Sequence, residues 1–247
     1  MSTDIIAGRN PVIEALKSGT TLNKIILAKN TERHSTVAAI LHLAQEKGVP
    51  VEYVERSAID RLSATPANQG VIAYAAAREY IDLPDLLSLT GDRNETPLYV
   101  VLDGIEDPHN LGAIIRTAEA TGVHGVIIRS RRAVGLTAAV FKASAGAVEY
   151  VAVARVPNIA QALDTLKKNN VWVVGIDQTG EVDYSRVDYT PPTVLVVGGE
   201  GKGLTPLVKS KCDFVVSIPM KGKITSLNAS VATAVVLYEV LRQRIKS

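Results

Sequence analysis

Leu98-Tyr-Val-Val-Leu102, followed by Asp103-Gly-Ile-Glu-Asp-Pro-His-Asn-Leu-Gly-Ala-Ile-Ile-Arg-Thr-Ala-Glu-Ala-Thr-Gly122, reads as a buried strand running into a helix. Residues 98–102 are apolar without alternation, as in a strand covered on both faces. Beyond them Leu111, Ile114, Ile115 and Ala118 recur at helical spacing. Asn110 stands where an N-cap belongs, and Gly122 closes a helix over 111–121. Arg116 falls off the apolar stripe. The pattern continues downstream, with strands at 125–128, 148–153, 171–176, 194–197 and 214–218 and helices near 137–145, 159–169, 204–210 and 228–245. Such βα alternation predicts an α/β fold whose parallel sheet is covered on both faces. Ligands of these sheets bind in the loops beyond the carboxyl ends of the strands.

Upstream, residues 1–76 form an α/β unit of their own. A helix opens at Asn10-Pro11 with Val12, Ile13 and Leu16 on one face and ends at Gly19. A strand follows at Lys24–Ala28, then a helix over 36–47 carrying Val37, Ile40, Leu41 and Ala44 on one side, with Gly48 as its stop. Further strands are expected at Val51–Val54 and Val71–Ala75. Pro84, Gly91-Asp92, Asn94 and Pro97 cluster around the short apolar piece Leu86–Leu89, so 77–96 reads as a linker before a domain at 97–247.

Composition bounds the rest. With 247 residues, 47% hydrophobic but only 4% aromatic, the chain suits two α/β domains better than a β-sandwich. A net charge of +2 does not announce a nucleic-acid binder, so such contact would rest on local patches. Arg129, Arg131 and Arg132 form one candidate, and Lys24, Lys29 and Arg33 another; both also read as solvated loops. The single Cys212 excludes an intramolecular disulfide, and Met1-Ser-Thr-Asp-Ile-Ile lacks the basic start and apolar core of a secretory leader. No apolar run reaches the roughly 18 residues of a membrane span. A cytoplasmic protein without membrane partners is expected. The sequence has no H-x-E or C-x-x-C pair, and no metal is expected.

Three segments carry residue types that chemistry uses. In the first, Asn110 and Arg116 stand six residues apart; alone it also reads as a capped helix with a solvated arginine, and His109 as a loop histidine. The second, Val194-Leu-Val-Val-Gly-Gly-Glu-Gly-Lys-Gly-Leu204, runs a strand into a glycine-rich turn whose backbone can approach a ligand closely. It fails both common nucleotide templates: Gly203 follows Gly201-Lys202 where a phosphate loop needs Ser or Thr, and the spacing is not G-x-G-x-x-G. A nicotinamide-dependent oxidoreductase is thereby disfavoured. The third, Val216-Ser-Ile-Pro-Met-Lys-Gly-Lys-Ile-Thr-Ser-Leu-Asn-Ala-Ser-Val-Ala-Thr-Ala234, is a strand, a proline-containing loop and a helix of small residues. Ser226 and Asn228 stand at the helix entrance, where capping alone accounts for them.

Together, in order and spacing, the three segments resemble the SpoU (TrmH-like) family of RNA ribose 2′-O-methyltransferases. Asn110 and Arg116 match the first family motif, and Gly198, Glu200 and Gly203 match a strand ending in Gly-x-Glu-x-x-Gly. Ile218-Pro219-Met220 with Ser226-Leu227-Asn228 match the third, and Lys142-Ala-Ser-Ala-Gly-Ala147 is similar to another recurring stretch. This resemblance covers 97–247. The first unit resembles the small, ribosomal-protein-like RNA-binding domain of the 23S rRNA guanosine 2′-O-methyltransferase group, through Ile6-Ala-Gly-Arg-Asn-Pro-Val12 and Asn68-Gln-Gly-Val-Ile-Ala73. Asn68 departs from the His common there.

The resemblance implies methyl transfer from S-adenosylmethionine to a ribose 2′-hydroxyl of RNA, most simply a guanosine in 23S rRNA. A tRNA ribose, or a non-catalytic RNA-binding role in ribosome assembly, stands behind it. It also implies a trefoil-knotted C-terminal domain and a homodimer. Gly198, Gly199, Ile218, Met220 and Leu227 are the implied donor contacts, and Arg116, Asn110, Glu200, Ser226 and Asn228 the implied catalytic set. Arg116 would contact the ribose and its phosphate, with Asn110 and Glu200 orienting it and Ser226 and Asn228 shaping the pocket. Because arginine keeps its proton in proteins, stabilising the emerging alkoxide is physically easier for it than acting as a general base.

Overall fold

The βα alternation read from the sequence is present in the computed structural model, which describes residues 5–17, 20–29, 35–63, 68–75, 80–91, 95–131, 133–199, 201 and 203–245. Gly19, Arg33, Arg132 and Glu200 lie outside the described residues. The chain divides into two compact units, Met1–Glu79 with Leu136–Lys142 and Tyr80–Gly135 with Ala143–Ser247.

The first unit contains β1 (Ile5–Ala7), α1 (Arg9–Lys17), β2 (Leu22–Ala28), α2 (Ser35–Glu46), β3 (Val51–Val54), α3 (Arg56–Leu62) and β4 (Val71–Ala75). Its mixed sheet has the order β1-β4-β2-β3, with only β2 and β3 parallel. The alternation of β2 feeds two cores. Ile25 and Leu27 pack with Val12, Leu16, Val37 and Ile40, while Ile26 and Ala28 pack with Ile59 and Ile72. Helix α3, absent from the sequence expectation, buries Ile59 alone, so it shows no apolar stripe.

The second unit begins with α4 (Leu83–Gly91), β5 (Leu98–Asp103), α5 (Pro108–Ala120) and β6 (Gly125–Arg129). Helix α6 (Ala138–Ala143) follows, and its Lys142 Nζ meets Glu14 at 2.9 Å within the first unit. Then come β7 (Ala152–Val156), α7 (Ile159–Lys168), β8 (Trp172–Ile176), β9 (Val182–Asp183), β10 (Thr193–Gly198), α8 (Pro206–Lys209), β11 (Phe214–Ser217) and α9 (Ala229–Ile245). The seven strands are all parallel, in the order β7-β6-β5-β10-β8-β11-β9.

Three local readings change. The stretch 77–96, read as a linker, holds α4, whose Leu83 and Leu86 enter the core beside Tyr99, Val101 and Ile127. Gly125 makes the room: a Cβ there would sit 2.4 Å from Leu86 Cδ1. Burying each leucine contributes about 1.5–3 kcal/mol, more than the turn residues around it oppose. The strand expected at 148–153 is a 3-10 turn at Ala147–Glu149 followed by β7. Val148 and Val151 are buried without being paired in the sheet, so their apolarity mimics a strand. Asn110 is not the N-cap of α5. Asp107 takes that place, accepting from His109 N at 2.9 Å, and Pro108 occupies the first turn, so Asn110 is already inside the helix and buried.

At the other end of the sheet, Arg244 ties α9 to the strand starts. Its guanidinium donates to the carbonyls of Thr96, Pro97, Tyr189 and Pro191 at 2.7–3.1 Å. Burial lowers its pKa from the ordinary arginine value. Among the described residues no helix is long and apolar enough to cross a membrane.

Candidate active site

Parallel strands deliver their carboxyl ends to one edge, and β8, β10 and β11 open there onto a cavity of about 610 Å³. Its walls come from the residues after each strand: Asp177 to Thr179 after β8, the glycine turn after β10, and Ile218, Met220 and Thr225 to Leu227 after β11. The first turns of α9 add Ala229 and Ala232.

The glycine turn is shaped by backbone packing. Gly199 N donates to Asp103 O and Gly203 N to Gly199 O, both at 3.0 Å. These bonds close the turn against the end of β5. Gly203 has φ +62, which favours glycine. Gly198 has no room for a side chain, since a Cβ would lie 2.1 Å from Gly203 C.

Two buried carboxylates brace this turn, and the sequence reading singled out neither. Asp103 ends β5 and accepts from Thr205 N at 3.0 Å and Thr205 Oγ1 at 2.8 Å, and from Arg129 Nη2 at 3.1 Å. Asp177 follows β8 and accepts from Thr179 N at 2.9 Å, from the Thr179 hydroxyl and from Leu204 N at 3.2 Å. Lys209 Nζ lies 3.5 Å from Asp177 and also contacts the Thr179 hydroxyl. Burial opposes ionisation of Asp177, but the Thr179 and Leu204 hydrogen bonds and the Lys209 charge outweigh it, holding the carboxyl below its ordinary range. The detectable signal was Asp177-Gln-Thr179, a polar cluster directly after an apolar strand.

At the entrance to α9, Asn228 Oδ1 accepts from Ser230 N and Oγ and from Val231 N. Its Nδ2 donates to Asn110 Oδ1 at 2.9 Å, so one side chain caps α9 and fastens it to α5.

The predicted residues therefore fall into groups. Gly198, Gly199, Ile218, Met220, Leu227 and Ser226 line the cavity together. Asn110 and Asn228 meet each other. Arg116 is exposed on α5 and, among the described residues, is not part of the cavity wall. Of the basic candidates, Arg129 is committed to Asp103, Lys24 pairs with Glu52 and Lys29 with Glu55, while Arg131 is exposed. Among the described residues no group of three or more His, Cys, Asp or Glu is placed to hold a metal.

Residues 97–238 match the SpoU rRNA methylase family model, and residues 5–81 match the RNA 2′-O ribose methyltransferase substrate-binding model. The chain belongs to the SpoU methylase family. It is 48% identical over 241 residues to a putative TrmH family tRNA/rRNA methyltransferase of Bacillus subtilis, covering 98% of this chain and 96% of that one. Among solved structures it resembles the SpoU methyltransferase AviRb from Streptomyces viridochromogenes in complex with AdoMet, with TM-score 0.70 and 27% identity over 98% of this chain and 91% of that chain. An AdoMet-bound rRNA methyltransferase from Sinorhizobium meliloti superposes with TM-score 0.67 at 29% identity, over 96% of this chain and 86% of that chain. This SpoU family member is thus an S-adenosylmethionine-dependent RNA 2′-O-methyltransferase, with a mixed-sheet substrate-binding domain ahead of an all-parallel methylase domain.

One consequence concerns the Asn110–Asn228 link. Asn228→Ala removes a helix cap and takes a partner from a buried amide, together about 2 kcal/mol. The expected result is a fall in Tm of roughly 4–8 °C by calorimetry.

Proposed function

We propose that the cavity at the ends of β8, β10 and β11 holds S-adenosylmethionine, and that this chain, as a cytoplasmic homodimer, methylates the ribose 2′-hydroxyl of a guanosine in 23S rRNA. The convergence of Gly198, Gly199, Ile218, Met220 and Leu227 on one cavity carries the reading. Its volume falls in the usual range for small-molecule sites, and its walls combine apolar side chains with a few fixed polar groups. The division of labour is a substrate-binding domain at 1–76 and a catalytic domain at 97–247, to whose core α4 of the intervening stretch also contributes. We further infer that the catalytic domain is threaded as a trefoil knot, a reading supported by the turn after β10 and the loop after β11 sharing one cavity.

Bound there, the donor supplies an electrophilic methyl group on a sulfonium. The chain's own residues have the remaining tasks. Ile218, Met220 and Leu227 offer apolar surface to a nucleoside, and the glycine turn offers backbone groups at close range. Asn110 and Asn228 hold α5 and α9 in fixed relation, with Ser226, just before Asn228 in sequence, on the cavity wall. Arg116 places a guanidinium toward the acceptor ribose and its phosphate, and stabilises the oxygen as its proton leaves. Glu200 orients it.

Because Arg116 lies outside the cavity wall of its own chain, a second subunit is the natural source of the arginine that completes the site. Exposed Val231 and Tyr238 of α9, together with Ile224, provide apolar surface for that contact. The likeness to an rRNA methyltransferase of S. meliloti, aligned over 96% of this chain, supports the rRNA reading. Mapping 2′-O-methyl groups in RNA from cells with and without the protein tests this. Loss of one guanosine methylation in 23S rRNA is expected; loss confined to a tRNA ribose replaces the substrate.

A further inference from the structure

We propose that Asp177 is a positioning residue for donor binding: its carboxylate, reaching across from β8, holds Leu204 and with it the glycine turn in the shape that receives the methyl donor. This rests on the reading of the cavity as the donor site.

Gly198, Gly199, Gly201 and Gly203 carry no side chains that could set the geometry of the turn. Asp103 holds both ends of it, through Gly199 N on its carbonyl and Thr205 on its carboxylate. Asp177 adds a second hold at the exit, on Leu204, from a different strand. Its side chain is only 9% exposed, and Oδ2 accepts from Leu204 N at 3.2 Å. The same oxygen packs over Gly203, where an added Cβ would come within 2.7 Å of it.

The second oxygen is held in turn. Oδ1 accepts from the Thr179 amide and hydroxyl and faces Lys209 Nζ at 3.5 Å, so the carboxylate cannot swing away from the turn. Among the described residues, the hydrogen-bond partners of the two oxygens are donors or a cation. Only an ionised, acceptor-only group satisfies that shell. An asparagine of the same shape turns an NH₂ toward one of those donors and leaves it unpaired. Two walls of the cavity, the segment after β8 and the turn after β10, are therefore joined by one side chain that itself faces the cavity.

The test compares the full-length native protein with Asp177→Asn. Affinity for S-adenosylhomocysteine is read by calorimetry, and amide exchange of the peptide spanning 198–208 by mass spectrometry without ligand. The expected result is binding weakened about tenfold and faster exchange in that peptide. In turnover assays the loss appears in the KM for the donor rather than in kcat. Affinity within twofold of native overturns the proposal. Weaker binding with unchanged exchange also overturns it, since Asp177 then acts by touching the ligand. Should Asp177→Asn fail to fold, Thr179→Val releases one donor from the same carboxylate; its expected effect is about threefold in the same direction, and no change in affinity or exchange overturns the proposal. Ala232→Trp, which fills the cavity, separates the two readings. If it retains native affinity, the donor binds elsewhere, while the exchange of 198–208 still reports whether Asp177 holds the turn.

Discussion

Arg116→Ala lowers the single-turnover rate of RNA methylation by about 10²–10³-fold at saturating donor, while leaving S-adenosylmethionine affinity within about twofold of native. The two halves of this expectation come from one observation. Arg116 is exposed on α5 and stands outside the cavity wall, so removing its side chain leaves the walls of the cavity in place. The same position leaves its cationic fork available to the acceptor, where charge develops as the ribose oxygen gives up its proton. A charge that appears only in the transition state is stabilised by groups whose loss costs rate and spares ground-state binding of the other substrate. Arg116→Lys sharpens the assignment: it keeps the charge but loses the planar two-pronged grip on phosphate and ribose, and falls between native and alanine. Measurement needs calorimetry for the donor and a quenched-flow or filter assay for methyl transfer. An alanine variant with a tenth or more of the native rate removes Arg116 from the chemistry. A variant that loses donor affinity to the same degree makes it a donor contact.

What the sequence alone makes legible depends on which force decides each element. The parallel sheet was legible because residues 98–102 and 194–197 are continuous apolar runs, which are interpretable without knowing their neighbours. Gly198, Gly199, Ile218, Met220 and Leu227, which the family resemblance names, line one cavity because they lie at the end of β10 and in the segments after β10 and β11. Helix α4 was not, since Pro84 and the flanking turn residues outweigh two leucines until the space left by Gly125 is known. Residues 147–151 misled for the converse reason: buried valines in a 3-10 turn look like a strand to any reading by hydropathy. Asp103 and Asp177 escaped because a buried carboxylate is identified by its donors, and Thr205 lies 102 residues from the first while Leu204 lies 27 from the second. Asn110 stands where a cap is expected from the apolar stripe that follows it, but it lies inside α5 and meets Asn228 instead.

Gly198→Ala abolishes donor binding, with affinity reduced by about a hundredfold or more, equivalent to at least about 2.7 kcal/mol. The single added carbon would lie 2.1 Å from Gly203 C, 2.3 Å from Gly203 O and 2.5 Å from Leu204 N. All three are backbone atoms, so no rotamer change relieves the overlap and the two arms of the turn must part. Parting them breaks the Gly203 N to Gly199 O bond and draws Leu204 away from Asp177. Overpacking of this kind costs about 1–3 kcal/mol of stability, so Tm falls by only roughly 2–12 °C and the protein remains folded at 25 °C. The loss of binding thus exceeds what the loss of stability explains, as expected when the displaced segment is the binding surface itself. Gly201→Ala serves as the control. It stands in the same turn at φ +74, but its Cβ would meet nothing within 4 Å. Its cost is the left-handed backbone strain of about 1–2 kcal/mol, with donor affinity changed by only a few-fold. Equal losses in the two variants would mean that backbone strain, rather than the close approach at Gly198, governs the turn. Native affinity in Gly198→Ala would place the donor outside this cavity.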